Sequence, residues 1–523
     1  MLLSFVCRGL LSFVLAISLA LPIPAIAYAV DEKRSEAAGT MDDSSPAEAS
    51  TVLEPSLLEP SGALADDDGS DESTLMEVIP DLGSESQEDG VVAALEEAEM
   101  PSDGDVARSV AQEEPREDCV AGEVIVVFND PSSSTARALN DDAASVLEGA
   151  DVQVIEEIAP ETEGSGAIVS AQAPDGMTVD DTIAELSDLP EVAYAQPNYS
   201  YRLIDGIEDV DDEAIPLAED DCEAFSVDDP LCNNSLVPNG NQYYLYQSKT
   251  IDAWNSATSD GKVTVAVLDT GCRLDHVDLS GVIDAELAYD TYHDAPLSQL
   301  SSNGTVPRGD VMGHGTHVAG IIGAQANNGI GIAGASYNST VLPVKVFNDG
   351  ASSLSARAST SNIIKAYSYL ANLINAGKVF NLRVINLSLG YYPSNSSSSD
   401  RAFEQAIASM RNEHGVLTVC AGGNGDANGN PLTDRSLPSD FEECLSVTSL
   451  DRDGGNTYWS DYNEYKDISA YGASITSTSH TDAEGYRTLS GSSMSSPLVG
   501  GVAALLWACL LYTSPSPRDR TRS

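Results

Sequence analysis

The strongest constraint on the fold is a set of short, mainly apolar segments that alternate with helical ones between residues 263 and 421. Segments 263–268, 340–346, 384–389 and 416–421 lack the polar alternation of a half-exposed strand, so as strands they need cover on both faces. Segments 315–324, 363–376 and 401–412 between them have helical character. Strands of this kind joined by helices predict an α/β domain with a parallel sheet between two helical layers. A site in such a sheet is expected off the carboxyl ends of the strands.

A smaller unit precedes it. Strands are expected over 124–128, 152–158, 167–171 and 192–201, with helices over 135–147 and 179–186. Thr178 and the acids after it open the second helix. This β-α-β-β-α-β order over about 80 residues predicts a small α+β, ferredoxin-like domain.

The flanks are acidic. Residues 31–118 hold 27 Asp/Glu against 4 Lys/Arg and no aromatic residue, so they bury too little apolar surface to offset the entropy of ordering. Segment 30–118 is therefore expected to be disordered, and 203–229 to be an exposed, cleavable acidic linker. A net charge of −57 argues against a nucleic-acid partner, which needs a basic face. Residues 1–29 read as an export signal, with Arg8, an apolar run over 10–21, and Ala27 or Ala29 as the last residue removed. No later segment approaches the roughly 20 apolar residues of a spanning helix, so no membrane span is expected in the mature chain. At the other end, 509–523 reads as a foreign tail resembling a translated sequencing adaptor, which would leave the domain cut short near Ala508. Export permits disulfides. Cys222 with Cys232 and Cys420 with Cys444 are the nearest pairs in sequence, while buried free thiols remain open for Cys272 and Cys420.

Three motifs carry chemistry. Asp269-Thr270-Gly271 ends an apolar strand with a carboxylate; an aspartic protease would need two such motifs, and the chain has one. Gly313-His314-Gly315-Thr316-His317 opens a helix, but Gly315 stands where the zinc-protease pattern has Glu. Gly491-Ser492-Ser493-Met494-Ser495-Ser496-Pro497 places a serine at a helix start; Ser495 breaks the α/β-hydrolase elbow, Ser492 and Ser496 read as capping residues, and Pro497 suits a first turn.

The order Asp, His, Ser from about residue 229 to 508 resembles that of the subtilases, the subtilisin-like serine proteases. The resemblance implies a subtilisin-like three-layer fold and a triad of Ser493 as nucleophile, His314 as general base and acid, and Asp269 as its orienting partner. It further implies that Asn424, in Ala421-Gly422-Gly423-Asn424, donates to the oxyanion with the Ser493 N–H. Ser388, Leu389 and Gly390 would pair with an extended polypeptide substrate, and Ala421, Gly422 and Gly423 would line the first subsite. Asp278 with Asn328, Ile330 and Ile332 resembles a subtilase calcium loop, which implies a structural Ca2+. Segment 119–202 resembles an inhibitory and folding-assisting propeptide, so the chain's own propeptide is an expected partner, cut off between Arg202 and Asp229. These features point to a secreted or cell-surface bacterial endopeptidase made as a zymogen. A dedicated maturation protease for one exported peptide shares the same residues, and a non-catalytic binding protein working through 119–202 is the reading from another class.

Overall fold

Apolar side chains line both faces of the first strand, β1 (Cys119–Phe128), and each face has its own cover. The structure, a computed structural model, describes residues 118–130, 143–159, 166–204, 226–232, 242–299, 309–349, 355–394, 399–426 and 428–513. The expected signal, nearly all of the acidic segment 30–118, most of the linker and residues 514–523 lie outside these. On one face, Val124, Val126 and Phe128 pack with Leu147 of α1 (Ala143–Gly149) and Leu186 of α2 (Val179–Ser187). Strands β2 (Gln153–Ala159), β3 (Ile168–Gln172) and β4 (Val192–Leu203) complete an antiparallel sheet in the order β2-β3-β1-β4. Residues 135–142 of the helix expected over 135–147 lie outside the described residues. Thr178 caps α2 by accepting the Asp181 N–H at 3.0 Å. Successive strand residues point to opposite faces, so Ile125 and Val127 turn the other way, and with Ile158 they meet Ile364 and Ala402 of the larger domain.

That domain opens with α3 (Tyr243–Gln247) and α4 (Thr250–Trp254). Its first strands are β5 (Thr264–Asp269), the short β6 (Tyr289–Asp290) and β7 (Ala295–Pro296), then β8 (Thr340–Lys345) and β9 (Ala358–Ser359). There follow β10 (Leu382–Leu387), β11 (Leu389–Gly390), β12 (Leu417–Ala421), β13 (Cys444–Leu450) and β14 (Ile468–Tyr471). Eight of them form a sheet ordered β14-β13-β12-β10-β5-β8-β6-β7, parallel except at β6–β7. Ala266 and Leu268 face the layer of α6 and α7, while Val265 and Val267 face that of α5 and α8, where α5 is His314–Gly323, α6 Thr360–Asn375, α7 Arg401–His414 and α8 Ser492–Thr513. The hairpin β15 (Ile475–Thr478) and β16 (Tyr486–Leu489) lies beside α5.

Two expectations need correction, and the cysteine alternatives left open resolve to free thiols. Pro497 is inside α8, not in its first turn. A proline cannot donate to the carbonyl four residues back, and the Ser388 hydroxyl takes that place by donating to the Ser493 carbonyl at 3.0 Å. The helix containing it is long and apolar enough to cross a membrane by length and composition, contrary to the sequence reading. Yet its apolar window is 72% buried inside the protein, which marks a core helix. Cys420 and Cys444 are free buried thiols on the neighbouring parallel strands β12 and β13, two residues out of register, and Cys232 and Cys272 are also free; Cys222 lies outside the described residues.

The two-sided cover of β1 is testable. Val126→Ala is expected to cost about 1–3 kcal/mol and to speed amide exchange throughout the small sheet, whereas Ile125→Ala should speed it chiefly where the sheet meets α6 and α7. Indistinguishable exchange maps would refute this division of faces.

Candidate active site

Strand β5 delivers Asp269 to the carboxyl edge of the sheet, where it is buried. A buried carboxylate needs hydrogen-bond donors. Asp269 Oδ1 accepts the Thr270 N–H at 2.7 Å, and the His314 Nδ1 lies 2.8 and 3.0 Å from the two carboxylate oxygens. His314 is the first residue of α5 and is itself buried. That helix start reaches close to the end of β5 because residue 315 has no side chain; a Cβ there would stand 2.1 Å from the Gly271 carbonyl oxygen.

A second carboxylate fixes the turn that carries His314. Asp310 is fully buried and accepts from the N–H groups of Met312, Gly313 and Thr316 and from the Thr270 and Thr316 hydroxyls. Burial alone would raise its pKa, but the Thr316 and Gly313 hydrogen bonds and the Lys345 ammonium hold it below the usual carboxylate value. Thr270 joins the two halves, since its hydroxyl also accepts the Gly315 N–H at 2.9 Å.

Ser493 sits in the first turn of α8, next to the carboxyl ends of β10 and β12. Its Oγ is 2.6 Å from the Ile204 carbonyl oxygen and 3.2 Å from that of Ser388. Asn424 Nδ2 donates to the same Ile204 oxygen at 3.2 Å. The Asn424 amide is aimed by Ser492, whose N–H and hydroxyl both donate to its Oδ1 at 2.8 Å. Ser492 also accepts the Gly423 N–H at 3.1 Å, so it is more than the helix cap the sequence suggested. Ser496 likewise donates inward, to Asn386 Oδ1 at 2.8 Å, and Asn386 donates to the Ser388 hydroxyl at 3.0 Å.

The segment ending at Ile204 lies along the cleft as an extended peptide. Leu203 pairs with Leu389 and Arg202 with Gly390 in antiparallel register, and the Ile204 N–H points to the Ser388 carbonyl at 3.5 Å. On the opposite edge, Ser200 and Tyr201 pair with Ser359 and Ala358 of β9. The Ile204 side chain lies over Gly390, where a Cβ would meet its Cδ1 at 3.0 Å. Ala421 ends β12, the Gly422 carbonyl accepts from Ser436 Oγ at 3.1 Å, and Gly423 leads into Asn424. His314 thus meets Asp269, and Ser493, the Asn424 amide and the strand partners Leu389 and Gly390 meet the segment that carries the Ile204 carbonyl.

His317 does not join His314. Its Nε2 is 3.1 Å from the carbonyl oxygens of Ile475 and Arg487, and burial keeps the ring neutral. The loop carrying the calcium expectation does assemble: buried Asp278 accepts from Asn328 Nδ2 at 3.0 Å, the Ile332 N–H at 2.9 Å and the Tyr486 hydroxyl at 3.2 Å. Ile330 donates to Asn328 Oδ1 at 2.7 Å with its side chain outward, and Asp229 accepts the N–H groups of Asn327 and Asn328. Burial pushes the Asp278 carboxyl up to about 6. Two carboxylates and an amide brought together from three segments suit a hard cation. No group of three or more His, Cys, Asp and Glu gathers for a metal among the described residues, so amide and carbonyl oxygens would have to complete the set.

The subtilase family model matches residues 260–519, and the model of the fervidolysin N-terminal prodomain matches 105–198. Thermitase of Thermoactinomyces vulgaris is 30% identical over 51% of this chain and 81% of its own length. The chain belongs to the subtilase family. It is a serine protease of that family, and its amino-terminal module is a fervidolysin-like prodomain. An extracellular protease of Xanthomonas campestris is 33% identical over 49% of this chain but 45% of its own. The crystal structure of fervidolysin from Fervidobacterium pennivorans matches the fold with a TM-score of 0.51 at 23% identity, over 77% of this chain and 57% of that one. The chain therefore spans less than two thirds of these last two proteins.

The motif reading gave no part to Asp310 or Ile204 and took Ser492 only as a cap. Asp310 lies four residues before His314, a spacing that could have marked a turn-bracing acid. Ser492 is orienting for Asn424, so Ser492→Ala is expected to lower kcat about 10-fold. Asn424→Ala should lower it about 10²–10³-fold, the range known for the side-chain donor of subtilisin itself. Steady-state kinetics on a chromogenic peptide measures both, and equal losses would reject the orienting role.

Proposed function

We propose that the chain is a secreted serine endopeptidase, made as a zymogen, that hydrolyses peptide bonds through an acyl-enzyme on Ser493 and cuts its own Ile204–Asp205 bond first. The observation that carries this reading is the Ile204 carbonyl oxygen, held by both Ser493 Oγ and Asn424 Nδ2 at the end of a peptide paired on two edges. The Asn424 donor thereby meets the oxygen on which negative charge develops during attack.

In this mechanism His314 takes the Ser493 hydroxyl proton as Oγ attacks the carbonyl carbon, and Asp269 holds the ring and balances its positive charge. The oxyanion lies against Asn424 Nδ2 and the Ser493 N–H. Collapse expels the amine, which receives the proton from His314, and a water molecule repeats the sequence to free Ser493. The prodomain then ends in an Ile204 carboxylate and the enzyme begins at Asp205. Export is supported by the apolar amino-terminal run and the extracellular relative. Asp278, Asn328 and the carbonyls of Ile330 and Ile332 would hold a calcium ion, whose part is to brace the loop.

Processing and casein cleavage by the full chain, beside Ser493→Ala, test the reading. The active form should begin at Asp205 by amino-terminal sequencing, and the variant should stay uncut and lose casein cleavage by at least about 10³-fold. A folded, prodomain-free protein that cleaves nothing would overturn it. For the loop, calcium chelation should lower the Tm by several degrees, and Asp278→Asn should remove that response. A Tm indifferent to calcium would reject the site.

A further inference from the structure

Counting back from the Ile204 carbonyl, the fourth residue is Tyr201, and its side chain is fully buried although it lies in a cleft between domains. The strand alternates there. Arg202 is exposed, while Tyr201 and Leu203 point into the larger domain. The Tyr201 ring stands edge-on to Tyr391, with centroids 4.8 Å apart, and to Phe403 at 5.6 Å. Its hydroxyl donates to Asp400 Oδ2 at 2.8 Å.

Asp400 is an unusual group at the bottom of an aromatic slot, because it is fully buried. It caps α7 by accepting the Phe403 N–H at 3.1 Å, and the Thr360 hydroxyl also donates to it. Those two donors belong to the larger domain and fix the carboxylate in place. The other two, Tyr201 and Gln196 Nε2 at 2.8 Å, arrive with the prodomain strand. Once the prodomain leaves, a rigid acceptor remains at the base of the slot, facing the position four residues before the cut bond. The catalytic steps do not use it. Burial raises the Tyr201 phenol far above its ordinary value, so it stays protonated and donates.

We propose that Asp400 makes this protease a reader of tyrosine: peptides with a tyrosyl side chain four residues before the scissile bond are its preferred substrates, selected over phenylalanine by the phenol's hydrogen bond to the Asp400 carboxylate. The inference rests on the proposed protease function and deepens it. A phenylalanine fills the same slot but leaves an acceptor desolvated without a donor, and sites built to bind a hydroxyl discriminate strongly against its absence.

The test uses the processed full-length protein and quenched fluorescent peptides of sequence X-Arg-Leu-Ile-Asp-Gly, with X as Tyr, Phe, Leu or Ala. The Tyr peptide should exceed the Phe peptide in kcat/KM by about 10- to 100-fold, the worth of a hydrogen bond to a charged acceptor. In Asp400→Asn, which retains a helix-capping side chain, that ratio should shrink to a few-fold. A second arm needs no catalysis. In an uncut Ser493→Ala chain, adding Tyr201→Phe should speed amide exchange of β4 about 10-fold or more. Equal Tyr and Phe rates, or a ratio unchanged by Asp400→Asn, would overturn the proposal while leaving the protease function standing. Failure to cleave any peptide or casein would overturn both, and the exchange arm would still report whether the Tyr201–Asp400 contact has its expected strength.

Discussion

A carboxylate buried at the end of a parallel strand is the constraint around which the large domain is organised. Asp269 is shielded from water, and its charge is tolerable only because the Thr270 amide and the His314 ring are brought to it. That requires the first turn of α5 to pass within contact of β5, which the absence of a side chain at position 315 allows. It also requires the preceding turn to be rigid, and a second buried carboxylate, Asp310, accepts four hydrogen bonds from that turn and the helix start and a fifth from Thr270. The imidazole orientation therefore follows from a polar scaffold beneath the surface of the cleft.

Much of this was legible in the sequence, for identifiable reasons. Strands covered on both faces have no polar alternation to hide their identity, and β5, β8, β10 and β12 fall within two residues of their expected limits. The triad residues each adjoin a turn glycine or a helix start, features that local sequence displays. What stayed hidden depends on groups distant in the chain. Pro497 reads locally as a helix opener, but its position is set by Ser388, which accommodates the carbonyl that the proline leaves without a partner. Ser492 reads as a cap until Asn424 is seen to lie against it. The contact of Asp400 with a tyrosine stayed hidden because Tyr201 comes from the prodomain, 199 residues earlier in the chain. The two histidines of α5 share a helix and have opposite surroundings, which spacing alone does not reveal.

The prodomain engages the larger domain at two levels. Ile125, Val127 and Ile158 press on α6 and α7 as ordinary apolar cover. Gln196 and Asn198 then satisfy backbone groups at the starts of the same two helices: Gln196 Oε1 accepts the Ala402 N–H at 2.9 Å, and Asn198 Oδ1 that of Ser361 at 3.1 Å. Unpaired N–H groups at helix starts are a cost that the prodomain removes when it docks. Its last strand then continues into the cleft, so docking of the module and filling of the active site are one event.

That continuity bears on the processed enzyme proposed above. Strands β9 and β11 would then be bare sheet edges flanking an empty slot. Bare edges invite pairing with other chains. Each is only two residues long, too short to template the growth of a foreign sheet yet enough to grip a single extended strand beside the serine. In the proposed processed enzyme, edges this short would confine pairing to a single extended segment beside the serine.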